Sequence, residues 1–271
     1  MSEMWNSVAG AWDQQADFVD VYLAAPTDAL LGAAGIGPGS EVIELACGPG
    51  GAGIAAARRV GGAGRVVLAD VAPGMVEVAA RRSADLPQVS TLVCDQVQID
   101  APDASFDAVI VRHGLMFVDD PAVAVREARR VLRPGGRYAA MTWDTRRSNP
   151  WLGLVLDAVG EQFGTTFPPP GVPGPFSLDS PNVLAEVLRD GGLTDVRSDR
   201  VPAAMPARTL EEWWQRVPQL AGPLALVLAT LAPDVRDAIR QRARDYGRVA
   251  ARQASGGLEF AGSVLVGAGR A

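Results

Sequence analysis

Apolar and polar positions along the chain change rhythm near its middle. From about Ser40 to Trp143, short β-rich runs alternate with amphipathic segments of helical period. The runs Glu41 to Ala46, Arg65 to Asp70, Val89 to Cys94, Phe106 to Arg112 and Arg137 to Trp143 read as five strands. Between them, Ala52 to Val60, Pro73 to about Ala84, and Pro121 to Leu132 read as helices. In the last of these, Val123, Val125, Ala128, Val131 and Leu132 form the apolar stripe, and Arg133-Pro134-Gly135-Gly136 stops it. Strands alternating with helices predict a parallel, doubly wound α/β sheet.

The second half is less regular. Asn149 to Pro175, with Pro168-Pro169-Pro170, reads as a Pro- and Gly-rich loop or lid element. Ser180-Pro181 opens a helix that ends at Gly191-Gly192. Thr194 to Val201 and Leu258 to Val266 read as a sixth and a seventh strand. Between them lie three helical stretches, Leu210 to Val217, Leu224 to Leu231 and Asp234 to Ala251, which read as a cap over the sheet. The expected organisation is one domain over 1–271. It comprises N-terminal lid helices (1–35), a cofactor-binding core (36–145) and a Pro-rich loop, helix and sixth strand (146–207). A helical cap insertion (208–257) and the seventh strand with the C-terminus (258–271) complete it.

Composition narrows the chemistry. The 271 residues are 48% hydrophobic and 21% charged, which suits an ordered globular chain. A net charge of −6 offers no basic face for a nucleic-acid backbone. Lysine is absent, so a Walker-type lysine and a lysine Schiff base are excluded. A single histidine, His113, excludes poly-histidine metal sites, and Cys47 and Cys94 form no metal pattern, so no metal is expected. The two cysteines also fit a reducing compartment. The stretch Leu220 to Ala232 is broken by Pro223 and is shorter than the ~18 apolar residues of a membrane span. Met1 to Gly10 has no basic start and apolar core of a targeting signal, so the expected location is the cytoplasm, away from membranes.

The chemical signal follows the first strand. Gly48, Gly50 and Gly53 in Glu44-Leu-Ala-Cys-Gly-Pro-Gly-Gly-Ala-Gly53 fit G-x-G-x-x-G, and Asp70 closes the second strand at the distance of a ribose-binding acid. Taken alone, the pattern fits a nicotinamide-dependent oxidoreductase. Glu44 argues against it, since a carboxylate beside the turn repels a pyrophosphate and attracts a sulfonium or ammonium.

Glu44 to Gly50 resembles the first motif of the class I S-adenosylmethionine-dependent methyltransferases. Leu132-Arg-Pro-Gly-Gly136 resembles their turn before the fifth strand, and Val93-Cys-Asp-Gln96 the end of their third. Trp5 to Asp13 is similar to the N-terminal segment of the subgroup like the ubiquinone/menaquinone-biosynthesis (type 11) methyltransferases. The resemblance implies a Rossmann-like sheet of strand order 3-2-1-4-5-7-6 with strand 7 antiparallel, S-adenosyl-L-methionine as cofactor, and a small-molecule methyl acceptor. Residue by residue, it implies that Gly48 and Gly50 let the backbone approach the methionine part and that Asp70 accepts the ribose hydroxyls. Val71 and Met75 would pack on the adenine, and Asp95 and Gln96 would meet its polar edge, with Val97 beside it. Arg112 would offer its backbone to the ammonium, and Trp12 would close over the reactive end. Ala46 replaces the usual first glycine and would tighten the pocket slightly.

Transfer would run in line to an O, N or C nucleophile. Trp151, Phe163, Phe167, Phe176 and Trp213 suggest a hydrophobic or aromatic acceptor. His113, just past strand four at the ligand-binding edge, is the candidate catalytic residue. Cys47 reads as a buried filler, Trp213-Trp214 as helix packing, and Arg81-Arg82 as a solvated helix face. A protein that keeps the cofactor pocket without methyl transfer, such as a cyclase, is the alternative within this fold.

Overall fold

A computed structural model describes residues 2–271; position 1 of the expected N-terminal lid lies outside the described residues. Three helices, α1 (Ser2–Ser7), α2 (Ala9–Tyr22) and α3 (Ala24–Ala33), lead into the alternating core. There β1 (Glu41–Leu45), α4 (Gly51–Val60), β2 (Arg65–Asp70), α5 (Pro73–Arg82), β3 (Val89–Val93), β4 (Phe106–Arg112), α6 (Pro121–Val131) and β5 (Leu132–Trp143) follow in turn. The strands β1, β2, β4 and β5 bury Val, Ile, Leu and Ala side chains almost completely, as a sheet covered on both faces requires.

The turn at Arg133–Gly136 is kept as an irregularity inside β5. Phe106 faces Leu132 while Ala108 faces Arg137, so the residues between loop out, with Gly135 at φ +79°.

Beyond β5 the chain departs from the expected loop. Residues 150–163 form a helix, α7 (Pro150–Phe163), and the irregular stretch begins only after it. Pro150 stands at the first helical turn and Gly164 caps the end at φ +66°, so the residues that suggested a loop are its boundaries. Trp151, Leu152, Val155, Leu156 and Val159 are its buried stripe. Asn149 anchors the start: its amide nitrogen donates to the Asp144 and Ser263 carbonyls at 2.9 Å each.

The helix α8 (Pro181–Asp190) begins as expected, the Ser180 hydroxyl accepting from the Val183 amide at 3.2 Å. It leads to β6 (Thr194–Pro202) and a short β7 (Met205–Ala207), then to α9 (Leu210–Leu220), α10 (Gly222–Thr230) and α11 (Pro233–Ala250). The stretch expected as one seventh strand from Leu258 is broken in two. β8 (Arg252–Ala254) and β9 (Gly257–Phe260) join β7 in a separate three-stranded sheet, and β10 (Ser263–Arg270) alone enters the main sheet. The break falls at Gly262, where a Cβ would overlap the Ala203 carbonyl oxygen. The expected cap, 208–257, thus also contains β8 and the first residue of β9.

The main sheet has the order β3-β2-β1-β4-β5-β10-β6. β10 runs antiparallel to both neighbours, matching the implied arrangement with β10 as the seventh strand. In the cap, Trp213 is fully buried, donates its indole N–H to the Trp151 carbonyl at 2.7 Å and stacks on Phe260. It packs helices together. No described helix is long and apolar enough to cross a membrane.

Candidate cofactor and acceptor site

The site is built where β1 and β4 end side by side, Leu45 opposite Val111. After Leu45 the backbone turns through Ala46 at φ +51°, Gly48 at φ +52° and Gly50 at φ +84° before α4 begins. The Gly50 amide closes the turn onto the Cys47 carbonyl at 2.9 Å. A Cβ on Gly50 would lie 3.0 Å from Leu68 Cδ1 and 3.2 Å from Ala79 Cβ, so glycine is required by both space and backbone.

Two acids brace this turn. Glu44 is fully buried, and its Oε2 accepts from the Gly53 amide at 2.6 Å, in the first turn of α4. A carboxyl oxygen there answers one of the unpaired amides of the helix N-terminus. Its Oε1 has no partner. Burial pushes the Glu44 carboxyl up to about 8, against the opposing pull of the Arg112 guanidinium and the Gly53 amide. Asp70 ends β2; Oδ2 accepts from the Gly48 amide and Oδ1 from the Ala72 amide, each at 2.9 Å. Burial raises its pKa, and the Ala72, Gly48 and Val71 amides pull it back. Each Asp70 oxygen keeps acceptor capacity beyond these bonds.

The Arg112 side chain has a structural role of its own. Its side chain is only 6% exposed and donates to Asp20 Oδ1 at 3.3 Å and to the Thr27 hydroxyl at 3.2 Å. Arg82 donates to the other Asp20 oxygen at 2.7 Å and to the Pro49 carbonyl at 2.7 Å. Two arginines thus pin α2 to the glycine turn. Arg82 therefore departs from the expected solvated face: its side chain is 18% exposed, against 60% for Arg81.

Met75 is buried with Val8, Ala9 and Ala72, and Trp5 and Trp12 pack on that cluster. This seals α1 and α2 onto the start of α5. Val71 is partly buried, and its carbonyl accepts from the Ser2 hydroxyl at 2.7 Å. Asp95 is exposed and spends Oδ1 on the Val97 amide at 3.1 Å. Gln96 donates its amide to the Gly114 carbonyl at 3.3 Å, and Val97 packs on the main core. Cys47 is buried, and burial together with Glu44 and Asp70 lifts its thiol well above the ordinary range, so it is no nucleophile.

The alanine at position 46 has a counterpart on the neighbouring loop. A Cβ on Gly114 would overlap the Ala46 Cβ, so the methyl of one fills the space the other leaves. Between Arg112 and Gly114, His113 adopts φ +60°, an uncommon conformation for a side-chain-bearing residue. Its ring stacks on Trp143 at 4.0 Å between centroids and 13° between planes. Both ring nitrogens are buried and unpaired. Burial and the adjacent Arg112 hold its pKa well below the ordinary value, so the imidazole is neutral.

The buried polar atoms without a partner include Trp12 Nε1, Glu44 Oε1, Gln96 Oε1 and both His113 nitrogens. They belong to residues singled out from the sequence, and they fit a ligand carrying both cationic and hydrogen-bonding groups. Asp20, Thr27, Arg82, Gly114 and Trp143 join the site without a local sequence signal. An open groove of about 590 Å³ runs along α7 from Arg146 to Phe167; none of its lining residues belongs to the glycine turn.

Comparison with known proteins agrees with this geometry. Residues 43–140 match a family described as a methyltransferase domain. The ubiquinone/menaquinone biosynthesis C-methyltransferase UbiE of Bordetella parapertussis is 32% identical over 222 residues, covering 76% of this chain and 84% of that protein. UbiE of Bordetella avium is 33% identical over 168 residues, 56% of this chain and 66% of that protein's own length. Among solved structures, the [4+2]-cyclase SpnF superposes with a TM-score of 0.56 at 20% identity, covering 99% of this chain and 91% of that one. The last likeness shows the fold alone. The sequence match extends well past the glycine turn and decides against the nicotinamide reading: the chain belongs to the class I S-adenosylmethionine-dependent methyltransferases, in the type 11 branch it shares with the UbiE proteins, and S-adenosylmethionine is its cofactor.

Proposed function

We propose that the protein methylates a small, flat, hydrophobic or aromatic acceptor held at the carboxyl ends of β4 and β5. The carrying observation is a juxtaposition. The glycine turn meets the loop of His113 where Ala46 approaches Gly114, and His113 leads an aromatic group of Trp143, Tyr22 and Trp151. When bound, the cofactor supplies an electrophilic methyl on a positively charged sulfur. Beside that positive charge Glu44 is ionised and sets a negative potential beneath the turn. Asp70 holds the ribose hydroxyls; Val71, Met75 and Val97 flank the adenine, and Asp95 and Gln96 meet its polar edge. Gly48 and Gly50 admit the methionine part, Trp12 covers the reactive end, and Arg112 fixes the wall opposite. Proximity and orientation provide much of the rate in such a site. His113, neutral and unpaired, contacts the acceptor and is placed to take a proton from it.

The N-terminal helices and the α9–α11 cap act as lids in this reading. The Asp20 clamp of Arg82 and Arg112 supports it, since it ties α2 across the cofactor turn. The UbiE names indicate transfer to carbon in those relatives, which favours a carbon acceptor here.

The test combines calorimetry with a product assay. Asp70→Asn keeps the shape and removes the charge, so S-adenosylmethionine binding should weaken by about 1.5–3 kcal/mol. Unchanged affinity in a folded variant sinks the ribose assignment. Incubation with isotopically labelled S-adenosylmethionine and 1,4-dihydroxynaphthalene as probe acceptor should label the probe. Cofactor binding without any labelled product would return the chain to the cyclase-like alternative.

A further inference from the structure

The helix α2 carries two unlike faces. Asp13, Asp17 and Asp20 share one side of it, and Gln15, Phe18 and Tyr22 share the opposite side, as the helical repeat dictates. The acidic side meets the cofactor half. Asp13 accepts from Arg81 at 2.6 Å and Asp17 from Arg82 at 3.3 Å, while Asp20 takes both Arg82 and Arg112 beside the glycine turn. The other side meets the cap. Arg216 of α9 donates its Nε–H to Gln15 Oε1 at 3.1 Å, and its guanidinium lies over the Phe18 ring at 3.7 Å. Gln15 in turn donates its amide to Gln219 Oε1 at 2.7 Å, and the Tyr22 hydroxyl donates to the Ala203 carbonyl, just past β6, at 3.0 Å.

The two sides differ in what it costs to part them. Arg216 keeps Glu212 of its own helix as a partner, Nη2 to Oε1 at 2.7 Å, so releasing Gln15 and Phe18 strands no charge. On the cofactor side, moving α2 off the turn takes the Asp20 carboxylate away from the buried Arg112 guanidinium, a costly separation. The cap therefore comes away from α2 more readily than α2 comes away from the turn.

We propose that α2 is a strap that makes closure of the cap depend on the cofactor half, with Arg216 as its latch. A cofactor held by the glycine turn and covered by Trp12 steadies α2, and the outer face of α2 is then the seat on which α9 closes. This rests on the site reading above and adds an order to it: the cofactor enters before the cap closes and leaves only after the cap has opened. The coupling is a shared equilibrium, because the contacts of both faces are complete only when α2 is in place.

Hydrogen–deuterium exchange on the full chain reads α2 and α9 separately. Saturating S-adenosylhomocysteine should slow exchange about tenfold in α2 and in α9 alike. In Arg216→Met, which keeps an apolar stem and loses the guanidinium, the slowing should persist in α2 and fall to about twofold or less in α9. Gln15→Leu cuts the same latch from the other helix; it should behave alike, and it decides if Arg216→Met does not fold. A ligand-free arm perturbs the opposite face. Asp20→Asn should speed exchange in α9 about threefold in the wild-type background and leave it unchanged in the Arg216→Met background, with β1 and β4 unaffected in both. An α9 that ignores S-adenosylhomocysteine while α2 responds, or that responds equally in the latch variants, overturns the strap. So does an α9 indifferent to Asp20→Asn. A chain that does not bind S-adenosylhomocysteine overturns the site reading instead, and the ligand-free arm still decides the strap.

Discussion

The glycine turn and the α9–α11 cap handle charge in opposite ways. At the turn, Glu44 and Asp70 are removed from solvent and answered mainly by backbone amides at fixed positions. In the cap, Glu211 is shared between Arg240 and Arg244, Glu212 between Arg208 and Arg216, and Asp245 pairs with Arg248, most of them partly exposed. The amides at the turn belong to a backbone that cannot rotate away. Cap arginines can exchange partners or turn to water. One arrangement holds a ligand's geometry and makes it sensitive to protons; the other tolerates change.

The largest difference should appear in pH. Glu44 carries a folded-state pKa of about 8 against an ordinary 4.5. Between those values the folded state holds a proton that the unfolded state has released, so stability falls as pH rises through that window. The contribution is on the order of 5 kcal/mol, fully present below the unfolded pKa and lost by the folded one. Urea unfolding of wild type should therefore show a lower free energy at pH 8.5 than at pH 5, and Glu44→Gln should remove most of that slope. An unchanged slope in the variant breaks the contrast with the cap. Cofactor binding should also release protons below pH 8, because a cation nearby favours the ionised carboxylate.

A smaller effect tests the fit of the turn. Gly114→Ala brings a methyl onto that of Ala46 and should destabilise by about 1–3 kcal/mol, the cost of overpacking a tight site. The exchanged pair, Ala46→Gly with Gly114→Ala, should recover much of that loss, because a single methyl then occupies the shared space. Equal unfolding midpoints for the single and double variants would show that the two methyls do not compete. In the cap, Arg240→Ala loses an ion pair of 2.6 Å to Glu211 in which both side chains are about one-third exposed. The change should stay within about 1 kcal/mol, and high salt should shrink it further.

What could be read in advance follows the range of the interactions. The five core strands and the turn at Gly48 and Gly50 depend on local periodicity and on backbone conformations that few residues accept, so the sequence carries them openly. The clamp on Asp20 does not: its arginines lie 62 and 92 residues away, and Arg82 sits in an ordinary-looking Arg-Arg pair. The meeting of Ala46 with Gly114 and of His113 with Trp143 likewise depends on which strands become neighbours. α7 is hidden by its own boundary residues, because Pro150 and Gly164 mark a helix's ends in the same letters that mark a loop. The split between β9 and β10 rests on the close approach of Gly262 to Ala203, which no local pattern announces.

The placement of β10 also orders assembly in time. It is the last main-sheet strand in sequence, yet it enters between β5 and β6. During synthesis, β1 to β5 emerge together and can pair while the cap is still being made. β6 emerges with no partner until Ser263–Arg270 arrives to join it to β5. The nascent chain therefore passes through a stage in which the cofactor half can be assembled while β5 still presents an open edge. That stage is the one most open to mispairing with another chain, and it ends only when the seventh strand is threaded into place.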